Sequence, residues 1–306
     1  MPCSDARELI ARACLVEQLG VDSIWVSQIV DARDACTLLS AYAGATDRVG
    51  LGVAVIPIYL RHPVSTIQMA ATLDELSGGR FRLGLGVGSQ LTVEWILGAT
   101  QGDPLEAMRE YVAIVRSALQ TGAVGFNGRH FRARWKYIAE PRPKLPLLVG
   151  AMGPKMLELA GEIADGVVLW MCTADYLRDH VLPRIAAGRA RAGKTLADFE
   201  ILACMYISVT NDPAHARRYV KELLSYYIKL PTYQRFFASI GFADDIQNGT
   251  LSDAFVDSVS GIGDELDVRC AIEAFRDAGC TLPMLAVLPE HDGSADFTSA
   301  LQVVMS

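Results

Sequence analysis

The sequence predicts an α/β fold built on a parallel sheet, and three of its features point there. Short β-branched runs alternate with longer segments of helical period; cap and turn residues sit at the joins; several strand candidates are unbroken apolar runs, as in strands covered on both faces. The chain has 306 residues, 51% of them apolar and 21% charged, a globular composition with room for one large core, so residues 1–306 are read as a single domain. With 28 Lys and Arg against 35 Asp and Glu, the net charge is −7. An acidic balance without a basic block argues against nucleic acid as a partner, because such binding depends on neutralising phosphates. A small molecule is the expected ligand.

The elements follow in order. Asp5 to Leu19 reads as a helix whose Leu9, Ala13, Val16 and Leu19 share one face. Strands are expected over Ser23 to Ser27, Val49 to Val55, Phe81 to Gly86, Leu147 to Val149, Gly166 to Leu169, Ile201 to Val209 and Met284 to Leu288. Pro63 opens a helix to Leu76, which Ser77-Gly78-Gly79 ends. Asp103 is placed as an N-cap before Pro104, with Glu106 at N3; Leu105, Met108, Val112, Val115 and Leu119 then share a face up to Gly122. Asp212-Pro213 repeats that start, and Asp264 opens a helix through Val268, Ile272 and Phe275 that stops at Gly279. From about Leu230 to Gly263 there are helical patches without a strand signal, read as an insertion before the last repeat. Seven parallel strands fit a doubly wound open sheet or an eight-stranded barrel short of one strand, and counting does not separate the two.

Several function classes drop out. The seven cysteines, Cys3, Cys14, Cys36, Cys172, Cys204, Cys270 and Cys280, are scattered and odd in number, with no Cys-x-x-Cys pair, so they read as reduced residues of a cytoplasmic protein. No apolar run nears the roughly 20 residues of a membrane span, and Met-Pro-Cys-Ser-Asp-Ala-Arg-Glu lacks the order of a signal peptide. His62, His130, His180, His215 and His291 have no zinc-site spacing, so no metal is expected. There is no Gly-x-Ser-x-Gly elbow and no phosphate-binding Gly-x-x-x-x-Gly-Lys loop.

Three segments carry chemistry. Phe81 to Ser89 is a strand running into Gly84-x-Gly86-x-Gly88, where bare backbone can approach a flat ring or a phosphate, although the spacing is not that of a dinucleotide fingerprint. Leu147 to Lys155 is a strand, a turn bracketed by Gly150 and Gly153, and a helix start at Pro154. Its free amides, its dipole and Lys155 favour an anion such as a phosphate. Leu51 to Pro63 ends in Arg61-His62; a neutral His62 is a candidate proton-transfer group there, against the plainer role of positioning a loop. Trp170 stands at the end of a strand and is read as a wall of the pocket.

The runs Tyr59-Leu60-Arg61-His62-Pro63, Ala70 to Phe81 and Leu83-Gly84-Leu85-Gly86-Val87-Gly88 strongly resemble the bacterial luciferase-like flavin and deazaflavin oxidoreductases, and among them the methylenetetrahydromethanopterin reductase type. Ile24-Trp25-Val26-Ser27, Gly150 to Pro154, Ala164 to Val167 and Ala278 to Pro283 extend the resemblance over nearly the whole chain. It implies a TIM (β/α)8 barrel with its site at the C-terminal ends of the strands. It also implies a non-prolyl cis bond at Ala54-Val55 behind a tricyclic ring, Gly86, Val87 and Gly88 at the ring edge, and Gly150, Ala151, Met152, Gly153, Pro154 and Lys155 on the cofactor phosphate.

The expected chemistry is hydride transfer between coenzyme F420, a deazaflavin, and a small organic substrate. An FMN-dependent monooxygenase using molecular oxygen is the alternative, and a cofactor-binding barrel without turnover a third. The substrate pocket is expected to include Gln28, Ser89 and Trp170. Gln28 and Ser89-Gln90 stand where the resemblance leads one to look for acids, which leaves the proton donor unassigned and Glu94 as a substitute. A strand ahead of the first helix is also implied, so an upstream start, a pairing partner or a gap in the barrel is expected. An open edge makes self-association into a dimer the expectation.

Overall fold

The structure, a computed structural model, describes residues 5–137, 139–289 and 294–305. Its strands are β1 Ser23–Val26, β2 Gly50–Pro57, β3 Phe81–Gly86, β4 Ala123–Asn127, β5 Arg132–Lys136, β6 Leu147–Gly150, β7 Gly166–Leu169, β8 Glu200–Val209, β9 Ser260–Gly263 and β10 Leu282–Val287. The main sheet runs β1-β2-β3-β6-β7-β8-β10, with every pairing parallel, and curls into a nearly closed barrel surrounded by helices. Among the described residues no strand joins β10 back to β1.

Period-2 alternation divides the two faces of the sheet. Ala54, Leu148, Val168 and Leu202 point inward and pack with Trp25, Val55, Leu282 and Met284, while Val53, Leu83, Val149, Val167 and Ala203 point outward into the helical layer. Burial on both faces explains why β2 and β8 read as continuous apolar runs.

The helix signals are realised. Asp103 accepts from the N–H groups of Leu105 and Glu106 at 2.9 and 3.3 Å, Pro104 opens helix Pro104–Thr121, and Gly122 ends it at φ 73°. Asp264 and Asp267 form a reciprocal capping box on helix Glu265–Asp277.

Two expectations need correction. The stretch read as an insertion without a strand holds β9, which pairs in parallel with Tyr206–Val209. Tyr206 pairs with both Ser260 and Ala286, so β9 lies on the edge of β8 opposite β10, beyond the end of β7. Its sequence, Ser-Gly-Ile-Gly, hides it: two of four residues are glycine, and a Cβ on Gly261 would stand 3.1 Å from the Ala271 side chain, so small residues let helix Glu265–Asp277 lie close. The antiparallel pair β4–β5 also lies outside the expected set; its strands have five residues each, and Gly125 and Asn127 in β4 and three basic residues in β5 leave only a short apolar alternation. Of the cysteines, Cys3 lies outside the described residues and the other six are unpaired. His291 also lies outside them. No helix among the described residues is long and apolar enough to cross a membrane.

Charged side chains clamp the connections through backbone groups. The Glu17 carboxylate accepts from the N–H groups of Asp47, Arg48 and Val49 at 3.0, 2.6 and 2.8 Å, tying the first helix to the approach to β2. Glu110 holds the β4–β5 turn in the same way, through Arg129, His130 and Phe131 at 2.7–2.9 Å. Arg80 reaches the carbonyls of Ser77, Thr46 and Val49 at 2.6, 2.7 and 2.5 Å. The turn that aims it needs Gly78 and Gly79, whose φ values are 65° and 85°.

The hydrogen bond from Val49, then that from Arg48, lowers the Glu17 carboxyl from 4.5 to about 2. A depressed folded-state value contributes stability that is present above the ordinary carboxyl range and lost as pH falls from about 4.5 toward 2. Glu17→Gln is expected to lower the thermal midpoint at pH 7, with the gap to the parent protein closing by pH 2, as followed by circular dichroism.

Candidate functional site

Strand pairing sets the ends of β2, β3, β6 and β7 side by side at one end of the barrel: Pro57 faces Gly86, Leu85 faces Val149 and Gly150 faces Val168, while Leu169 faces Ala203 within β8, which runs on beyond β7. Every candidate residue named from the sequence lies at or near these C-terminal ends, where the loops of a parallel barrel converge.

β2 is irregular here. The Ala54–Val55 peptide is cis, and pairing with β3 shifts between Val53 and Ile56. Val55 then packs on the interior cluster, beside three glycines. A Cβ on Gly84 would stand 2.2 Å from the Val53 carbonyl oxygen, and one on Gly86 2.4 Å from Val55 Cγ2. One on Gly150 would stand 3.4 Å from both Val55 methyls. The first two distances are shorter than any carbon contact, so glycine at 84 and 86 is required by packing within the sheet itself. Gly88 turns the chain at φ 73°, and its carbonyl accepts from Gln101 Nε2 at 3.1 Å. The Tyr59 hydroxyl donates to the Gln101 carbonyl, so β2 and the loop after β3 hold each other.

The second cradle forms where β6 meets helix Pro154–Ile163. Gly153 is the N-cap without a side-chain hydrogen bond, and Pro154 follows at N1. The first-turn amides are thus uncapped and carry the positive end of the helix dipole, with Lys155 exposed beside them. Ala151 N–H is committed to the Val168 carbonyl at 3.2 Å, and the Met152 carbonyl accepts from the Tyr176 hydroxyl at 3.2 Å, which anchors the turn to β7 and its following loop. Lys155 also borders a surface hollow of about 450 Å³. There Arg109 and Arg191 are held by Glu162 and Glu158 at 2.6 and 3.1 Å.

Three other candidates, His62, Gln28 and Ser89, are occupied with backbone, and a fourth, Glu94, with a side chain. His62 caps helix Pro63–Leu76: Nδ1 accepts from Val64 N–H at 3.3 Å, and Nε2 lies 3.2 Å from the Arg132 carbonyl of β5. Proline at N1 makes the preceding residue the cap, and both His62 ring nitrogens lie against backbone groups. Arg61 pairs with Asp34. Gln28 Oε1 accepts from Ala35 N–H at 2.9 Å, at the start of helix Ala35–Ala45. Ser89 Oγ accepts from Thr92 N–H at 3.1 Å. Glu94 sits exposed on the π-helical turn Thr92–Ile96, accepting from Gln90 Nε2 at 3.1 Å.

The wall at this end is aromatic and uncharged. Deeper in the barrel the Trp25 ring lies against Gly52, where a Cβ would meet it at 2.3 Å, and its indole N–H donates back to Ser23 Oγ at 2.9 Å. Trp170 packs edge-on to Tyr206, with centroids 5.9 Å apart, and against Tyr227 at 6.1 Å. Burial pushes the Tyr206 and Tyr227 phenols upward and the Cys204 thiol to about 12, so all three keep their protons at neutral pH. Sequence reading found Trp170 by its place at a strand end but missed the tyrosines, which come from β8 and from the helical stretch after it.

Residues 2–282 match the family described as luciferase-like monooxygenase. The chain belongs to that family. Within it, the chain is 35% identical over 228 residues to an F420-dependent glucose-6-phosphate dehydrogenase of Beutenbergia cavernae, covering 69% of this chain and 66% of that one. It is 28% identical over 298 residues to a 5,10-methylenetetrahydromethanopterin reductase of Methanolobus tindarius, covering 92% and 90%. The structure superposes on the coenzyme F420-dependent tetrahydromethanopterin reductase of Methanopyrus kandleri with a TM-score of 0.80 at 22% identity, over 99% of this chain and 94% of that one. The likeness extends to the nearly closed parallel barrel.

The glycine row is testable as a unit. Gly86→Ala is expected to cost about 1–3 kcal/mol, the usual penalty of overpacking. In a Val55→Ala background the same change is expected to cost less, because the methyl it strikes is gone; urea unfolding of the four proteins measures the coupling.

Proposed function

We propose that this family member is a deazaflavin-dependent oxidoreductase that moves a hydride between coenzyme F420 and a small organic substrate. The observation that carries the reading is the joint placement, at one barrel end, of a glycine-lined shelf around Val55 and an uncapped helix N-terminus at Gly153. A flat ring suits the first and a phosphate the second, and a Cβ on Gly153 would meet nothing within 4 Å, so there is open space beside this turn. The likeness to the F420-dependent glucose-6-phosphate dehydrogenase supports the choice of coenzyme.

Val55, Gly86, Val87 and Gly88 would support the ring, and Gly150 to Lys155 the phosphate. When bound, a deazaflavin supplies a two-electron hydride carrier whose ring carbon at position 5 makes it sluggish toward oxygen. This chain's part is positioning and exclusion of water. Trp170, Tyr206 and Tyr227 wall the space with apolar faces, and the protonated phenols offer donors without placing a negative charge beside a migrating hydride.

Fluorescence titration with F420 and with FMN tests the assignment: F420 is expected to bind more tightly, and a preference for FMN would overturn it. Lys155→Ala is expected to weaken F420 binding by about tenfold, the scale of one charge-assisted hydrogen bond, and to flatten its salt dependence. Anaerobic stopped-flow oxidation of reduced F420 by carbonyl, imine and enone compounds is expected to proceed; turnover that requires oxygen would contradict the hydride reading.

A further inference from the structure

Strand β3 leaves the sheet into a loop that closes on itself. Gln101 Nε2 donates to the Gly88 carbonyl at 3.1 Å and the Tyr59 hydroxyl donates to the Gln101 carbonyl, so positions 88 and 101 are joined at a neck. Residues 88–101 thus form an Ω-loop, a compact surface loop whose ends lie close together. Within it Val93 is fully buried, and a Cβ on Gly88 would stand 3.4 Å from its Cγ2. The Val93 and Leu97 N–H groups donate to the Ser89 and Thr92 carbonyls, each at 3.0 Å. Among the described residues, the hydrogen bonds of positions 90–97 stay inside the loop, and Gly88 and Gly102, at φ 73° and 61°, bracket it. A segment that packs on itself and is tied to the body only at its neck is built to move as one piece.

Its tip is apolar and faces water. Trp95 is 82% exposed, Ile96 57% and Leu91 39%, on and beside the π-helical turn Thr92–Ile96. What covers the tip follows from where the loop is rooted. The neck is the Gly88 turn, the continuation of the shelf around Val55, and two other loops at this barrel end leave apolar side chains exposed: Ile29 after β1 and Tyr226 after β8. Tyr226 packs on Tyr227 with centroids 5.8 Å apart, and Tyr227 on Trp170 at 6.1 Å, so an aromatic row runs from the rim into the wall of the site. The loop holds no Lys or Arg and one acid, Glu94, which does not suit an anionic lipid surface. Three side chains also expose far less than the roughly 800 Å² per partner that a stable protein complex buries.

We propose that residues 88–101 are a lid that swings about this neck when a flat ring occupies the shelf, and that Trp95 and Ile96 then become contact residues of the loaded site, facing the aromatic row and shutting water out. The inference rests on the reading above that the shelf takes a ring.

Fluorine NMR of the full chain carrying 5-fluorotryptophan tests it, the Trp95 resonance being the one lost in Trp95→Phe. Saturating F420 or FMN is expected to remove most of the solvent isotope shift of that resonance, and the protein without ligand is expected to keep the shift at every protein concentration. Trp95→Ala is expected to leave the thermal midpoint unchanged, since an exposed side chain holds nothing in the fold, while F420 dissociates about tenfold faster in stopped flow. Trp95→Phe, which keeps a flat apolar ring, is expected to release F420 at nearly the parent rate. A Trp95 resonance that keeps its isotope shift with both compounds, parent-like release from Trp95→Ala, or a shift that vanishes on concentrating the protein without ligand, the mark of contact between copies, would overturn the lid. Closure with FMN but not with F420 would fail the coenzyme choice alone, and F420 binding with Trp95 still exposed would fail the lid alone.

Discussion

The contact on which the site depends is the close approach of β2 to β3 around Val55. Once the β2 backbone and the Val55 methyls occupy the interior side of the neighbouring strand, positions 84 and 86 have no room for even one carbon, whereas a carbon on Gly150 of β6 would come into ordinary contact with the same methyls. Three strands are thereby drawn into register around a shelf with bare backbone on one side. The Gly88 turn, held by Gln101 and through it by Tyr59, continues that shelf beyond the sheet. The phosphate cradle lies one strand further on, and its placement follows from the same pairings.

Around this shelf the interior carries polarity without charge. Cys204, Tyr206 and Tyr227 are held neutral by burial, the Arg61–Asp34 pair lies in the outer layer, and the interior pair Arg82–Glu200 stands at the opposite, N-terminal end of its strands. That division suits a reaction whose difficult step belongs to a bound ring and whose protein must orient, donate hydrogen bonds and keep water out.

Much of this was legible beforehand because it rests on local rules. Asp103-Pro104 and Asp264 announce helix starts, and the apolar runs of β2, β3 and β8 announce buried parallel strands. β9 was hidden because Gly261 and Gly263 serve helix packing and a turn rather than strand propensity, and β4–β5 because Arg132 and Arg134 alternate with few apolar partners. At the site, the glycines were visible, but their packing reason was not, since it depends on a residue thirty positions earlier. His62, Gln28 and Ser89 were picked out for their chemistry; the structure spends their polar atoms on helix starts, which residue type alone does not reveal.

The clamps of Glu17, Glu110 and Arg80 share one trait with an evolutionary consequence. Each grips main-chain atoms, so the residues being gripped, 47–49 and 129–131 among them, are held whatever their side chains are, provided they keep an N–H. The exposed residues of those loops, Asp47, Arg48 and Arg129, are free to drift over generations while the backbone keeps its place; proline is barred where an N–H is gripped, and the buried Val49 is fixed by the core as well.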